Sequence, residues 1–236
     1  YLKIKKRLEI HYDGDLPARS GMGSSSVFVV GLMNALFALN KKNIKKKELA
    51  KKSVNFEQNV LKDVVGAQDQ TAVTHGGFNK MEFYKSKTNI IKLKLGKSIK
   101  NLNENLLLVY TGIQRNAHDY ASAYVKKIDK SKKKNIKKII DQAILAEKML
   151  KKGDIDSFGS LLHEAWVEKK SLSKNITNNK IDELYNLARS YGALGGKLLG
   201  AGGGGFFLFY MKKNNQFRFL NKNKKLLNIP FKFSAE

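Results

Sequence analysis

Asp15-Leu16-Pro17-Ala18-Arg19-Ser20-Gly21-Met22-Gly23-Ser24-Ser25-Ser26 is the stretch on which the reading of the fold turns. Pro17 stands near its start, and Gly21 and Gly23 supply two positions free to take positive φ. Three serines lead into the apolar run Val27-Phe28-Val29-Val30, which continues to Leu39 without a proline. A tight loop feeding a helix N-terminus has this form. It puts a serine at the N-cap, leaves backbone N–H groups unpaired by the helix, and exposes the positive end of the dipole. Such an end holds anions, phosphate above all. Taken alone, the same residues also make an ordinary Ser-capped helix after a glycine turn, so the rest of the chain must decide.

At 236 residues the chain can form one large or two small cored domains. No apolar run has the length of a membrane span, and Tyr1 opens no secretory pattern, so no membrane partner is expected. The absence of cysteine excludes disulfides and thiolate metal sites, and a cytoplasmic protein is the expectation. The formal charge of +25 raises nucleic acid as a partner. However, the arginines are Arg7, Arg19, Arg115, Arg189 and Arg218, and every other basic residue is a lysine. Base reading and bidentate phosphate clamping favour arginine, whereas these lysines are spread along the chain beside many asparagines. The expectation is a solvated lysine surface and no nucleic-acid partner; an acidic small substrate, a nucleotide or sugar phosphate, would also gain from the field.

Along the chain, Tyr1–Tyr12 alternates apolar and charged residues and reads as a strand with one exposed face. It starts abruptly, and first strands upstream of it are expected. Helices are expected from Ser24 to about Asn40 and from Lys46 to about Lys62, the second with Leu49, Ser53, Phe56 and Val60 on its buried stripe and Glu57 beside it. Val64–Phe78 reads as a loop with short turns, followed by strands at Phe78–Tyr84, Ile90–Leu95 and Leu106–Tyr110. From Gln114 the pattern turns helical: Asn116–Lys127, Asn135–Lys152, Ile155–Ser171 and Lys180–Tyr191. Gly195–Tyr210 reads as a glycine-rich turn running into a strand, then a short helix and a last strand near Ile229–Phe233. The composition shifts near residues 96–104, which predicts domains at 1–98 and 99–236.

Gly200-Ala201-Gly202-Gly203-Gly204-Gly205 formally fits G-x-G-x-x-G, but the dinucleotide fingerprint leaves a strand and opens a helix. Here the glycines precede a strand. So many glycines cost chain entropy, which points to something packed against bare backbone, a flexible surface loop being the alternative. Glu57 and Asp69 are the acidic candidates. Phosphoryl transfer needs magnesium held by one or two hard oxygen ligands, and often a carboxylate to orient or deprotonate the attacking hydroxyl. Glu57 with a loop serine suits the first task and Asp69 the second; a surface helix residue and a turn former are the plain alternatives. His11, His75, His118 and His163 show no metal-ligand spacing and read as structural or exposed.

Pro17–Ser26, P-A-R-S-G-M-G-S-S-S, resembles the P-x-x-x-G-L-G-S-S-A phosphate loop of the GHMP kinases, the galactokinase, homoserine kinase and mevalonate kinase superfamily. Gly200–Phe206 resembles their C-terminal glycine motif. Within that superfamily, Gly66–Phe83 and Val109–Ala117 are similar to the D-glycero-D-manno-heptose 7-phosphate kinases and the fucokinase-like sugar kinases. The resemblance implies an α+β, two-domain GHMP kinase fold, with a ribosomal protein S5 domain 2-like N-terminal half and a ferredoxin-like, helix-rich C-terminal half. The active site would lie between them. It also implies an ATP-dependent sugar kinase acting on a sugar or sugar phosphate, with the anomeric hydroxyl of a heptose 7-phosphate the leading acceptor. Kinases of other sugars, and a catalytically idle regulator that binds nucleotide and sugar, are the alternatives.

By the same resemblance, Pro17, Arg19, Ser20, Gly21, Met22, Gly23, Ser24, Ser25 and Ser26 would cradle the phosphates of ATP. Ser24 and Glu57 would hold Mg²⁺, and Asp69 would be the catalytic base. Gln68, Arg115, Gly202, Gly203 and Gly204 would lie beside the substrate. Met22 stands where the family usually has leucine, a volume-conserving change. The family's N-terminal substrate motif, with a basic residue beside the base, has no counterpart in this chain.

Overall fold

The computed structural model describes residues 4, 7–16, 20–85, 87–114 and 130–233. Pro17, Arg19, Arg115 and the helix expected over Asn116–Lys127 lie outside the described residues. Three helices open the described chain: α1 (Ser24–Leu39), α2 (Lys46–Asn55) and α3 (Gln68–His75). α2 runs on into a π-helical turn, Phe56–Val60. Val29, Val30 and Met33 of α1 bury against Leu49 of α2, with Phe28, Ile44 and Phe56 at the edges. That small apolar cluster fixes α1 against α2, and with them the loop before α1.

A hairpin follows, β1 (Asn79–Phe83) antiparallel to β2 (Thr88–Lys92) with Met81 opposite Ile90. Next come α4 (Ser98–Asn105), β3 (Leu106–Tyr110), α5 (Lys130–Lys152), α6 (Ile155–Ser171) and α7 (Asn179–Ser190). The last regular elements are β4 (Ala193–Leu198), β5 (Phe206–Met211) and α8 (Lys213–Lys222). β3, β5 and β4 form an antiparallel sheet with β5 at its centre, Leu106 facing Tyr210 and Tyr110 facing Phe206. β5 reads Phe-Phe-Leu-Phe-Tyr-Met because both its faces are covered. Phe207, Phe209 and Met211 join Trp166, Ile181, Tyr185 and Phe219 on one side. Tyr210 joins Leu102, Leu106, Leu150 and Ile155 on the other. Full burial of one such side chain stabilises by about 1.5–3 kcal/mol, so the sheet is the anchor of this half.

Several expectations need correcting. Asp69 and its neighbours are not a loop: Gln68–His75 is helical, with Gln70, Thr71 and Thr74 turned inward. Polar residues at helical spacing against a polar interior carry no apolar stripe, which is the signal periodicity reads. The second helix is α-helical only to Asn55. Gly195 and Gly196 lie inside β4 rather than in a turn. A side chain at Gly195 would run into Gly159 and His163 of α6, so glycine there permits close helix–strand packing. Arg7–Tyr12 form no strand among the described residues; Tyr12 instead packs edge-on to Phe28 at 4.9 Å. Near the C-terminal end there is a single bridge, Asn228 to Val109, in place of a strand. Asn103 takes over the pairing there, donating to the Phe231 carbonyl at 3.1 Å and accepting from the Phe233 N–H at 2.9 Å. Among the described residues no helix is long and apolar enough to cross a membrane.

Candidate active site

Gly23, not a serine, caps α1. Its φ of 71° and ψ of 20° are left-handed, and no side chain caps the helix. Gly21 turns the chain the same way at φ 78°. The first helical bond runs from the Val27 N–H to the Gly23 carbonyl at 2.9 Å. The N–H groups of Ser24, Ser25 and Ser26 are therefore without helical partners, and the first turn of α1 holds no acidic residue of its own. An open N-terminus of this kind, on a helix of sixteen residues, is suited to an anion.

The serine hydroxyls point elsewhere. Ser25 Oγ donates to Glu57 Oε1 at 3.2 Å, and Ser26 Oγ to Glu57 Oε1 and Oε2 at 3.3 and 3.2 Å. Gln70 Nε2 also donates to Glu57 Oε2. Glu57 is fully buried and sits in the π-helical turn after α2. A buried carboxylate that accepts from serine hydroxyls and an amide, next to an open helix end, suits a hard divalent cation. Among the described residues no group of three or more His, Asp or Glu gathers. Magnesium needs no such cage, since it takes one or two carboxylates and completes its shell with water and phosphate. Ser24, expected beside Glu57, makes no hydrogen bond to it; Ser25 and Ser26 do.

Asp69 occupies the first turn of α3 and leans on the α1 loop. A Cβ on Gly23 would stand 3.2 Å from its Oδ2. The carboxylate retains solvent access, while burial of its inner side raises its pKa above the ordinary 3.8. A raised pKa makes the carboxylate a better proton acceptor. Gln68, one residue earlier, is exposed at the helix start.

The second glycine turn reaches the same place from the other half of the chain. A Cβ on Gly205 would collide with the Ser20 carbonyl and lie 3.5 Å from the Gly21 N–H nitrogen. A Cβ on Gly204 would stand 2.7 Å from the Ile113 carbonyl oxygen, and one on Gly202 2.8 Å from Ile176 Cα. Hydrogen bonds hold the turn in that position. Gly203 N–H donates to Ile176 O at 2.8 Å, Gly205 N–H to Ile113 O at 2.9 Å, and Thr111 N–H and Oγ1 both to Gly205 O at 2.8 Å. Lys169 of α6 clamps the approach, donating to the carbonyls of Leu198 and Gly200 at 2.8 and 2.7 Å. Thus Ser20, Gly21, Gly23, Asp69 and Gly205 form one continuous contact. Met22 lies within it, half-buried. A separate cavity of about 640 Å³ between Ser190–Gly192 and Asn215–Lys222 contains none of the residues singled out from the sequence.

Lys169 lies in no motif, and Gln70 and Thr111, inside Gly66–Phe83 and Val109–Ala117, are not among the expected site residues. A helical reading of residues 68–75 would have exposed Gln70 as an inward residue beside Asp69. His163 is part of the core, hydrogen-bonded to the Tyr185 hydroxyl at 2.6 Å. Burial lowers its pKa, and it also raises that of Tyr185 to about 12.

Two family models match the chain: GHMP kinases N terminal domain over residues 1–77, and GHMP kinases C terminal over residues 145–228. A D-glycero-alpha-D-manno-heptose 7-phosphate kinase of Campylobacter jejuni is 34% identical over 205 residues, covering 86% of this chain and 60% of the relative. A crystal structure of a Campylobacter jejuni protein described as a candidate sugar kinase superposes with a TM-score of 0.74 at 30% identity, over 94% of this chain and 65% of that one. A D-glycero-D-manno-heptose 1-phosphate kinase from Bacteroides thetaiotaomicron gives 0.68 at 27% identity, over 93% and 62%. The chain therefore spans rather less than two thirds of the length of these relatives. Paired N- and C-terminal models, the heptose kinase similarity and the meeting of both glycine turns agree: this chain belongs to the GHMP kinase family.

Proposed function

We propose that this chain carries out ATP-dependent phosphorylation of a sugar hydroxyl, with the anomeric hydroxyl of D-glycero-D-manno-heptose 7-phosphate as acceptor. The observation that carries the reading is the contact between Ser20 and Gly205, with Asp69 against Gly23 on the same loop. It sets a carboxylate of raised pKa, an open helix end and a bare-backbone turn side by side. In this reading residues 1–98 bind the nucleotide and residues 99–236 supply the second wall, in the cytoplasm. The lysine-rich surface draws the anionic reactants in.

The unpaired N–H groups of Ser24 to Ser26 bind the ATP phosphates. Glu57, with the Ser25 or Ser26 hydroxyl, would hold Mg²⁺, which would supply neutralisation of the phosphate charge. Asp69 accepts the proton of the sugar hydroxyl as the oxygen bonds to the γ-phosphorus. The bond from that phosphorus to the β,γ-bridging oxygen breaks, and ADP leaves with the electron pair. The Gly202–Gly205 turn, having no side chains, packs directly on Ser20, Ile113 and Ile176 and so holds the first loop in place beside the acceptor. A coupled ADP-release assay on the chain with heptose 7-phosphate, fucose, galactose and mevalonate tests this. Turnover with heptose 7-phosphate above the other three is expected. Turnover with none of them, in folded protein that binds ATP, would return the idle regulator as the better reading.

A further inference from the structure

We infer that Gln70 is a positioning residue that aims the Glu57 carboxylate at a divalent cation, an inference that rests on the reading of Glu57 given above. Gln70 is fully buried, and its Nε2 donates to Glu57 Oε2. Its other amide atom, Oε1, is buried without a hydrogen-bond partner among the described residues. That pairing fixes which way the amide faces, because the flipped amide would set an oxygen against a carboxylate oxygen. A site that needed only volume would be filled better by leucine or methionine, which strand no polar atom. The structure accepts the unpaired Oε1 and keeps the bond to Glu57.

The two oxygens of Glu57 are held unequally. Gln70 grips Oε2 from the interior. Ser25, which is exposed, reaches Oε1 at 3.2 Å, while the buried Ser26 hydroxyl is shared between Oε1 at 3.3 Å and Oε2 at 3.2 Å. Hydroxyl bonds of that length are weak, since the usual distance is about 2.7–2.8 Å, so a cation approaching from the loop displaces them at little cost. The interior bond then keeps the carboxylate from turning as the outer ones are exchanged. Outer partners of this kind commonly set metal affinity as strongly as geometry at the ligand itself. Gln70 also shares the first turn of α3 with Asp69. One short helix therefore fixes both the cation's carboxylate and the carboxylate against Gly23.

The test is Mn²⁺ binding to the full 236-residue chain in the presence of ADP, followed by the loss of the free-ion EPR signal. Gln70→Met keeps the volume and removes the donor; Gln70→Asn keeps an amide but falls one methylene short. Both are expected to weaken Mn²⁺ binding by roughly 10–100-fold, the usual cost of removing such a partner. ADP binding without metal should be unchanged, and excess Mn²⁺ should restore turnover. Thermal melting identifies which of the two variants is folded, and one folded variant suffices. Glu57→Gln serves as the reference. If it weakens Mn²⁺ binding while a folded Gln70 variant stays within about threefold of the parent, the positioning role is overturned and the Glu57 reading stands. If Glu57→Gln itself binds Mn²⁺ like the parent, the Glu57 reading fails and takes this inference with it.

Discussion

The two glycine turns of this molecule use glycine for different reasons. In the first, Gly21 and Gly23 are needed for their dihedral angles, 78° and 71° in φ, and the turn delivers the start of a helix. Around Gly23 there is nearly room for a methyl group, with only Asp69 at 3.2 Å. In the second, space decides. Gly202, Gly204 and Gly205 are each in contact with main chain from another segment, and the turn delivers the start of a buried strand. The first turn is open on one side with unpaired N–H groups. The second is pinned by hydrogen bonds that it donates to the Ile113 and Ile176 carbonyls and accepts from Thr111, with Lys169 donating to the chain just before it. One is arranged to receive something, the other to hold it in place.

The largest effect is expected where the first turn meets its carboxylate. Asp69→Asn should lower kcat by roughly 10²- to 10⁴-fold, the usual worth of a general base, with ATP binding retained. The parent's kcat/KM should fall on the acid side with a midpoint above 3.8, since burial raises the Asp69 pKa. The same shift has a stability consequence. The folded state holds this proton more tightly than the unfolded state, so the favourable contribution is present below 3.8 and is lost as pH rises through the raised value. Asp69→Asn escapes that loss, and its melting temperature relative to the parent should climb over the same window. An inactive variant whose melting temperature relative to the parent is no higher at neutral pH than at pH 3 would contradict the account.

Next is Gly205→Ala. Its φ of 95° and the collision with the Ser20 carbonyl both oppose a side chain, and neither partner is a flexible side-chain end. The cost should reach about 3 kcal/mol or more, from strain added to forced separation of the two turns. Gly23→Ala should cost less, about 1–2 kcal/mol for the left-handed conformation, because the atoms nearest its Cβ belong to the Asp69 side chain, at 3.2 Å and beyond, rather than to main chain. It should nevertheless displace that carboxylate and lower kcat. Denaturant midpoints for both, with kcat on the folded fraction, rank the two turns. Equal stability losses at the two positions would erase the distinction drawn between them.

Much of this arrangement is legible from residues alone. The loop, Glu57, Asp69 and the second glycine run are all set apart by composition, and helices at Ile155–Ser171 and Ser24–Leu39 follow apolar spacing. What escaped reading has a common cause: the local signal was polar or glycine-rich while the deciding contact was remote. Gln68–His75 is a helix because Glu57 and the α1 loop give Gln70 and Asp69 something to pack on. β4 tolerates Gly195 because α6 lies directly on it, and Gly196 because Phe209 and Leu208 of β5 close on it. The capping serine expected at α1 is replaced by Gly23 since the serine hydroxyls are drawn to Glu57 instead.

The smallest effect expected probes how the second turn is held. Thr111 reaches Gly205 O twice, through its N–H and through Oγ1, both at 2.8 Å. Thr111→Val keeps the backbone bond and the shape while removing the hydroxyl, and also removes an acceptor 3.3 Å from the Ile113 N–H. One neutral hydrogen bond is worth about 0.5–1.5 kcal/mol net, so the loss should fall in that range. Because the carbonyl keeps one donor, the turn itself should stay in place, with kcat of the folded fraction preserved. A fall in kcat without loss of stability would mean that the hydroxyl serves the acceptor rather than the turn. The second turn would then, like the first, be a receiving surface.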